Sequence, residues 1–210
     1  MRPLFVISFL IVTMIGCRES AEAPKPPSSQ PQEAGSSAIG VLQKMVTEQN
    51  YRALGFDSVD QVKQAQLGSP FSVFEIGLNQ LKEYKPGISP DTLLTPSSKT
   101  IYPVTVNSEV KSSVTISHKD NGYQASSFGS ADIIKSLSRY RRAEAQGNDF
   151  VVRVPAFNMY YLGRHVNSRL LLVPIIDDTR LKLKTGEAVP AETVLEQLVP
   201  LANSYNGLPI

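Results

Sequence analysis

Three short patterns in this chain carry residue types that acyl-transfer chemistry uses. Ser108-Glu109-Val110-Lys111 sets a hydroxyl three residues ahead of an amine, Lys184-Thr185-Gly186 is a Lys-Thr-Gly triplet, and Ser204-Tyr205-Asn206 has the form Ser-x-Asn. A serine attacks a carbonyl only when a positioned base takes its proton, and a lysine one helical turn further on can be that base. The context of Ser108 argues against it. Alternating apolar residues on both sides predict two strands joined by a turn at Asn107-Ser108-Glu109, with Lys111 on the second strand.

Taken together the three patterns resemble the signatures of penicillin-binding proteins and serine β-lactamases. In that family Ser-x-Asn precedes Lys-Thr-Gly, and here the order is reversed. A serine triad fares no better. His118 and His165 are the two histidines. His118 could be drawn with Ser113 or Ser126 and Asp120, but no G-x-S-x-G elbow marks a nucleophile. A small serine hydrolase therefore stays only as the alternative. Asp177-Asp178, Asp57 and Asp60 lack the spacing of a calcium loop, and no histidine pair suits zinc. No glycine-rich phosphate loop is present, so no cofactor and no metal are expected.

The residue set with most bearing on binding is Phe157, Tyr160, Tyr161 and Arg164, with Met159 among them. Aromatic, methionine and arginine side chains are enriched at interface centres, and this stretch, with an exposed sheet edge, is the expected partner-binding site. The competing explanation is ordinary packing in a strand, which favours the same side chains.

Location is written more plainly. Arg2 supplies a positive start, Leu4 to Ile15 form an apolar run, and the run ends Met14-Ile15-Gly16-Cys17, containing the single cysteine. The run is too short to span a bilayer, which takes ~20 apolar residues. This ending resembles the lipobox of bacterial lipoproteins. The resemblance implies removal of residues 1–16 and acylation of Cys17, and two or three acyl chains make a durable membrane anchor. It further implies the bacterial cell envelope. With Arg18 rather than Asp after the cysteine, the outer membrane facing the periplasm is expected where two membranes exist.

Residues 17–37 lack aromatic and branched aliphatic side chains. They predict a disordered Pro/Ser-rich tether after the lipidated Cys17. Residues 38–210 are long enough for one domain with its own core. Setting aside Arg2, Arg18, Lys25, Glu19, Glu22 and Glu33 from 21 basic and 19 acidic residues leaves 18 against 16. That balance predicts no nucleic-acid partner.

The elements that must position these groups follow from periodicity. Ile39, Leu42, Val46 and Ala53 predict a helix over 38–54, and a short helix opens with a capping box at Ser58. A strand covers 71–78, with a bulge at Gly77. Tyr102 to Phe128 predict a three-stranded meander closed by a primed turn at Asp120-Asn121-Gly122, with Pro103 on an edge strand. A helix follows Gly129-Ser130, then strands at 149–154, 157–162 and 169–176, then a helix from Pro190. The class is α+β, a curved antiparallel sheet with helices on one face. In element order alone it looks loosely like the cystatin-type and nuclear-transport-factor-type folds. The function expected is that of a non-catalytic protein or peptide interaction module held to the membrane through acyl chains on Cys17; the alternatives are the serine hydrolase and a carrier of an apolar ligand.

Overall fold

The computed structural model describes residues 28–141 and 149–207. The lipobox, Cys17 and most of the expected tether lie outside the described residues.

The chain first enters the fold as a bridge, Ser28 exchanging both main-chain hydrogen bonds with Tyr123. Helix α1 then runs Pro31–Met45, with Pro at its start, Glu33 in its first turn and Lys44 in its last, each favourable to the helix dipole. It begins seven residues before the expected boundary, so 31–37 is helix rather than tether. The reason lies in its partners. Ala34, Gly35, Ala38 and Leu42 are buried, and small side chains let the helix backbone lie close to Leu67 and Tyr102. The apolar surface comes from the sheet, which local composition does not report.

The same helix stops nine residues short of 54. The Asn50 side chain accepts from the Thr47 amide at 2.7 Å and donates to the Met45 carbonyl at 2.8 Å, capping the end. Next comes a 3-10 turn, Val59–Gln64. Ser58 is its N-cap, as expected, but the capping box does not form: the Gln61 side chain instead accepts from the Asp57 amide and donates to the Asp57 carboxylate.

Strands β1 (Gln66–Leu67) and β2 (Phe71–Glu75) precede α2 (Leu78–Glu83). Gly77 is the N-cap of α2 and not a bulge; its amide donates to Gln80 Oε1. The meander is β3 (Thr95–Val106), β4 (Glu109–Lys119) and β5 (Gly122–Phe128). Its primed turn falls at Asn107-Ser108, both at positive φ, and recurs at Asn167-Ser168; in the Asp120-Asn121 turn only Gly122 takes positive φ. Helix α3 is Ala131–Tyr140, β6 is Phe150–Val154, β7 is Met159–Val166, β8 is Arg169–Pro174, β9 is Val189–Pro190, and α4 is Ala191–Ser204.

The strands form one curved, mostly antiparallel sheet in the order β5-β4-β3-β2-β6-β7-β8-β9, with β1 beside β3. The fold class is α+β, as the periodicities predict. One pair, β2 with β6, is parallel. Strand β3 lies inside the sheet, which corrects the edge position expected for Pro103. On its β4 side Pro103 faces Ser113, whose own amide and carbonyl bond to Gly129 on the far side. The missing donor therefore falls in the gap between β1 and β2, where the Pro103 carbonyl accepts the Gly68 amide at 2.8 Å.

Adjacent residues on a strand face opposite ways, and both faces here are covered. Tyr102, Val104 and Ile116 pack under α1, while Val152, Tyr161 and Leu172 pack under α4, with Leu81 of α2 in the same cluster. These three helices share one face. Helix α3 covers the opposite face, its Ile134 and Leu137 against Phe71, Val73, Val151 and Leu162. The central strands are apolar on both sides, so one layer of helices is not enough. No helix among the described residues is long and apolar enough to cross a membrane.

Candidate functional site

The α3 face of the sheet is only partly covered, because α3 is ten residues long and the sheet is much wider. A cleft of about 340 Å3 opens along the flank of the helix. Its helical wall is apolar: Ile133, Ile134 and Leu137. Val73 and Ile101 form the floor. The far wall, from β4 and β5, carries hydroxyls. A register shift between Thr115 and Ile116 leaves Ser126 as an extra residue opposite β4, so consecutive residues Ser126 and Ser127 both line the cleft.

Some of these hydroxyls are already spent. Ser113 Oγ donates to the Gly129 carbonyl, Ser117 Oγ donates to Ser126 Oγ at 2.7 Å, and Ser126 Oγ donates to the Thr115 carbonyl at 3.2 Å. Those of Thr115, Ser127 and Ser130 have no protein partner among the described residues.

Charge gathers at one end. Glu75 and Arg153 are register partners on the parallel pair β2/β6, and Tyr160 stands opposite Arg153 on β7. The guanidinium lies over the Tyr160 ring, 5.5 Å from its centre, and reaches Glu75 Oε1 only at 3.6 Å, longer than a hydrogen bond. Arg153 Nε is buried without a partner. Lys99, half-buried on β3, lines the same cleft and has no ion-pair partner among the described residues.

Of the four residues expected to form a partner surface, Phe157, Tyr160 and Tyr161 line a second, smaller cleft of about 230 Å3 together with Met159, and Arg164 does not. Phe157 (7% exposed) and Tyr161 (3%) are core residues under α4, Tyr205 packing edge-on against Phe157. Burial pushes the Tyr161 phenol far above its ordinary range. Arg164 is buried against α3, bonded to the Tyr140 carbonyl at 2.7 Å and to Asp149 at 3.1 Å. Tyr160 also lines the α3 cleft. Strand alternation sets the directions of these side chains: positions 160 and 164 face α3, position 161 faces α4. The β5 edge is likewise occupied at Tyr123 by Ser28.

The acyl-transfer patterns are also dispersed. Ser108 is in the two-residue turn. Lys111 is buried, with Asp57 and Glu109 each 2.8 Å from its amine, and these hydrogen bonds hold its pKa above the ordinary value, the reverse of what a general base needs. Thr185 donates its hydroxyl to Asp177, and Ser204 bonds back to Pro200 at the end of α4. His118 is exposed, its ring tilted against that of Tyr123 with 4.7 Å between ring centres. His165 bonds Asp91 at 2.7 Å. Asp178 binds Arg180 and two loop amides. No group of three or more His, Cys, Asp or Glu suited to a metal ion occurs among the described residues.

Local sequence patterns do not reveal the cleft, apart from one signal: Arg153 interrupts the apolar run Val151-Val152-Arg153-Val154. Comparison of the chain with protein-family models, with curated proteins and with solved structures finds no match to any of them.

Proposed function

We propose that this protein is a lipid-anchored, non-catalytic binding module of the bacterial cell envelope, and that its partner, a protein or peptide segment, engages the cleft between α3 and the hydroxyl-lined face of β4 and β5. The observation that carries this reading is the buried, unpartnered Nε of Arg153 at the end of a cleft large enough for a ligand. A buried guanidinium donor left unsatisfied is costly, and a bound acceptor removes that cost. The carrier alternative asks for a closed apolar cavity, and this cleft is open and mixed in polarity.

The anchoring half of the proposal rests on Met14-Ile15-Gly16-Cys17. Ten residues, 18–27, separate Cys17 from Ser28, the first described residue.

Two measurements test the halves separately. Membrane fractionation of Cys17→Ser is expected to move the protein from the membrane to the soluble fraction; retention on the membrane would refute the anchor. A photo-crosslinker placed at Ser127 is expected to capture one partner in native membranes, and Thr115→Trp, which fills the cleft, should abolish that capture. Capture unchanged by Thr115→Trp would refute the site.

A further inference from the structure

We infer that the α3 cleft is built for a ligand with an apolar body and a single carboxylate. This rests on the binding role proposed above and names the chemistry of what binds. One wall and the floor are apolar: Ile133, Ile134, Leu137, Val73 and Ile101. Water gains nothing there, and an apolar group of matching size does. At about 340 Å3 the cleft lies at the small end of the usual range for ligand sites, roughly 300–1,000 Å3.

The charged end selects the head group. Lys99 and Arg153 oppose Glu75, leaving one positive charge in excess. The Arg153–Glu75 contact at 3.6 Å leaves the guanidinium fork largely unused, and that planar fork matches a carboxylate in two-point contact. A second negative charge on the ligand would meet Glu75 uncompensated. A cation would meet Lys99 and Arg153. A monoanion brings the end of the cleft to neutrality, and the free hydroxyls of Thr115 and Ser127 can serve its remaining lone pairs.

Two sources offer this chemistry: a free amphiphilic acid, or the C-terminus of a peptide ending in an apolar residue. Calorimetric titration of the purified mature chain with four probes separates them: decanoate, decanol, N-acetyl-leucyl-phenylalanine and its C-terminal amide. Decanoate is expected to bind about tenfold tighter than decanol, a difference of about 1.4 kcal/mol. That preference should fall to about threefold or less in Arg153→Met, checked for folding by circular dichroism. Lys99→Met, on a half-buried flank, gives the same reading should Arg153→Met not fold. A matching preference of the free dipeptide over its amide assigns the site to peptide C-termini; preference confined to decanoate assigns it to free acids.

Equal binding of decanoate and decanol, a preference unchanged in both variants, or no binding of any probe would overturn the inference. In those cases crosslinking at Ser127 that still responds to Thr115→Trp leaves the binding module standing without this ligand class.

Discussion

Replacing Gly55 by alanine tests how the α1 loop is locked to the sheet. Gly55 has φ +95°, and a Cβ built there overlaps the main-chain carbonyl oxygen of Lys111 and lies 2.8 Å from the Ala131 Cβ. The approach has a cause. The register shift between Val104 and Thr105 makes Lys111 the extra residue of a bulge, bringing its backbone toward the loop while its amine holds Asp57. Gly87 is the internal control, with φ +92° and no atom within 4 Å of the place a Cβ would take. Gly87→Ala therefore measures backbone strain alone, about 1 kcal/mol after the smaller entropy of the unfolded alanine chain is allowed for. Gly55→Ala adds displacement of main-chain atoms and should cost about 3 kcal/mol. At ~2–4 °C per kcal/mol for a domain of this size, thermal denaturation should show losses of roughly 2–4 °C and 6–12 °C. A Gly55→Ala protein melting within about 2 °C of Gly87→Ala would refute the close approach. Because Ala131 opens α3, Gly55→Ala should also weaken binding in the α3 cleft.

Tyr161→Ala removes a core side chain and should cost about 3–5 kcal/mol by urea denaturation, while neighbouring Tyr160→Ala should cost less than half as much and act instead on ligand binding. Pro103→Ala should change stability by less than about 1 kcal/mol in the same assay, because no ladder bond is missing at that position. Asp178 is held below its ordinary value of 3.8 first by the Arg180 guanidinium and then by loop amides. A depressed folded value means its stabilisation is present above 3.8 and lost as pH falls through and below it. The melting temperature of Asp178→Asn should thus lie below wild type at neutral pH and converge on it in acid; a constant gap down to about pH 2.5 would refute the assignment.

Local signals carry far in this chain where the physics is local. The meander is legible because alternation sets which side chains go inward, and short Asn, Asp, Ser and Gly turns set the returns. Helix α4 is legible from Pro190 and the spacing of Leu195, Leu198 and Ala202. The start of helix α1 is hidden for the opposite reason: Ala34, Gly35 and Ala38 gain burial from Leu67 and Tyr102, residues that approach only through the sheet. The site follows the same division. Phe157, Tyr160 and Tyr161 stay around one small cleft, while strand alternation turns Arg164 to the α3 side, where it bonds the Tyr140 carbonyl.

The sequence by itself determined the α+β class, the order of the strands in the meander and the apolar faces of the helices, since each depends on period and turn chemistry over a few residues. Only the tertiary structure decided that α3 is the one helix on its face among the described residues, that β2 and β6 run parallel, and that Arg153, Lys99 and Glu75 line one cleft with the hydroxyls of β4 and β5. Those residues come from three strands far apart in the chain, and their meeting depends on sheet order and bulges, which long-range packing selects.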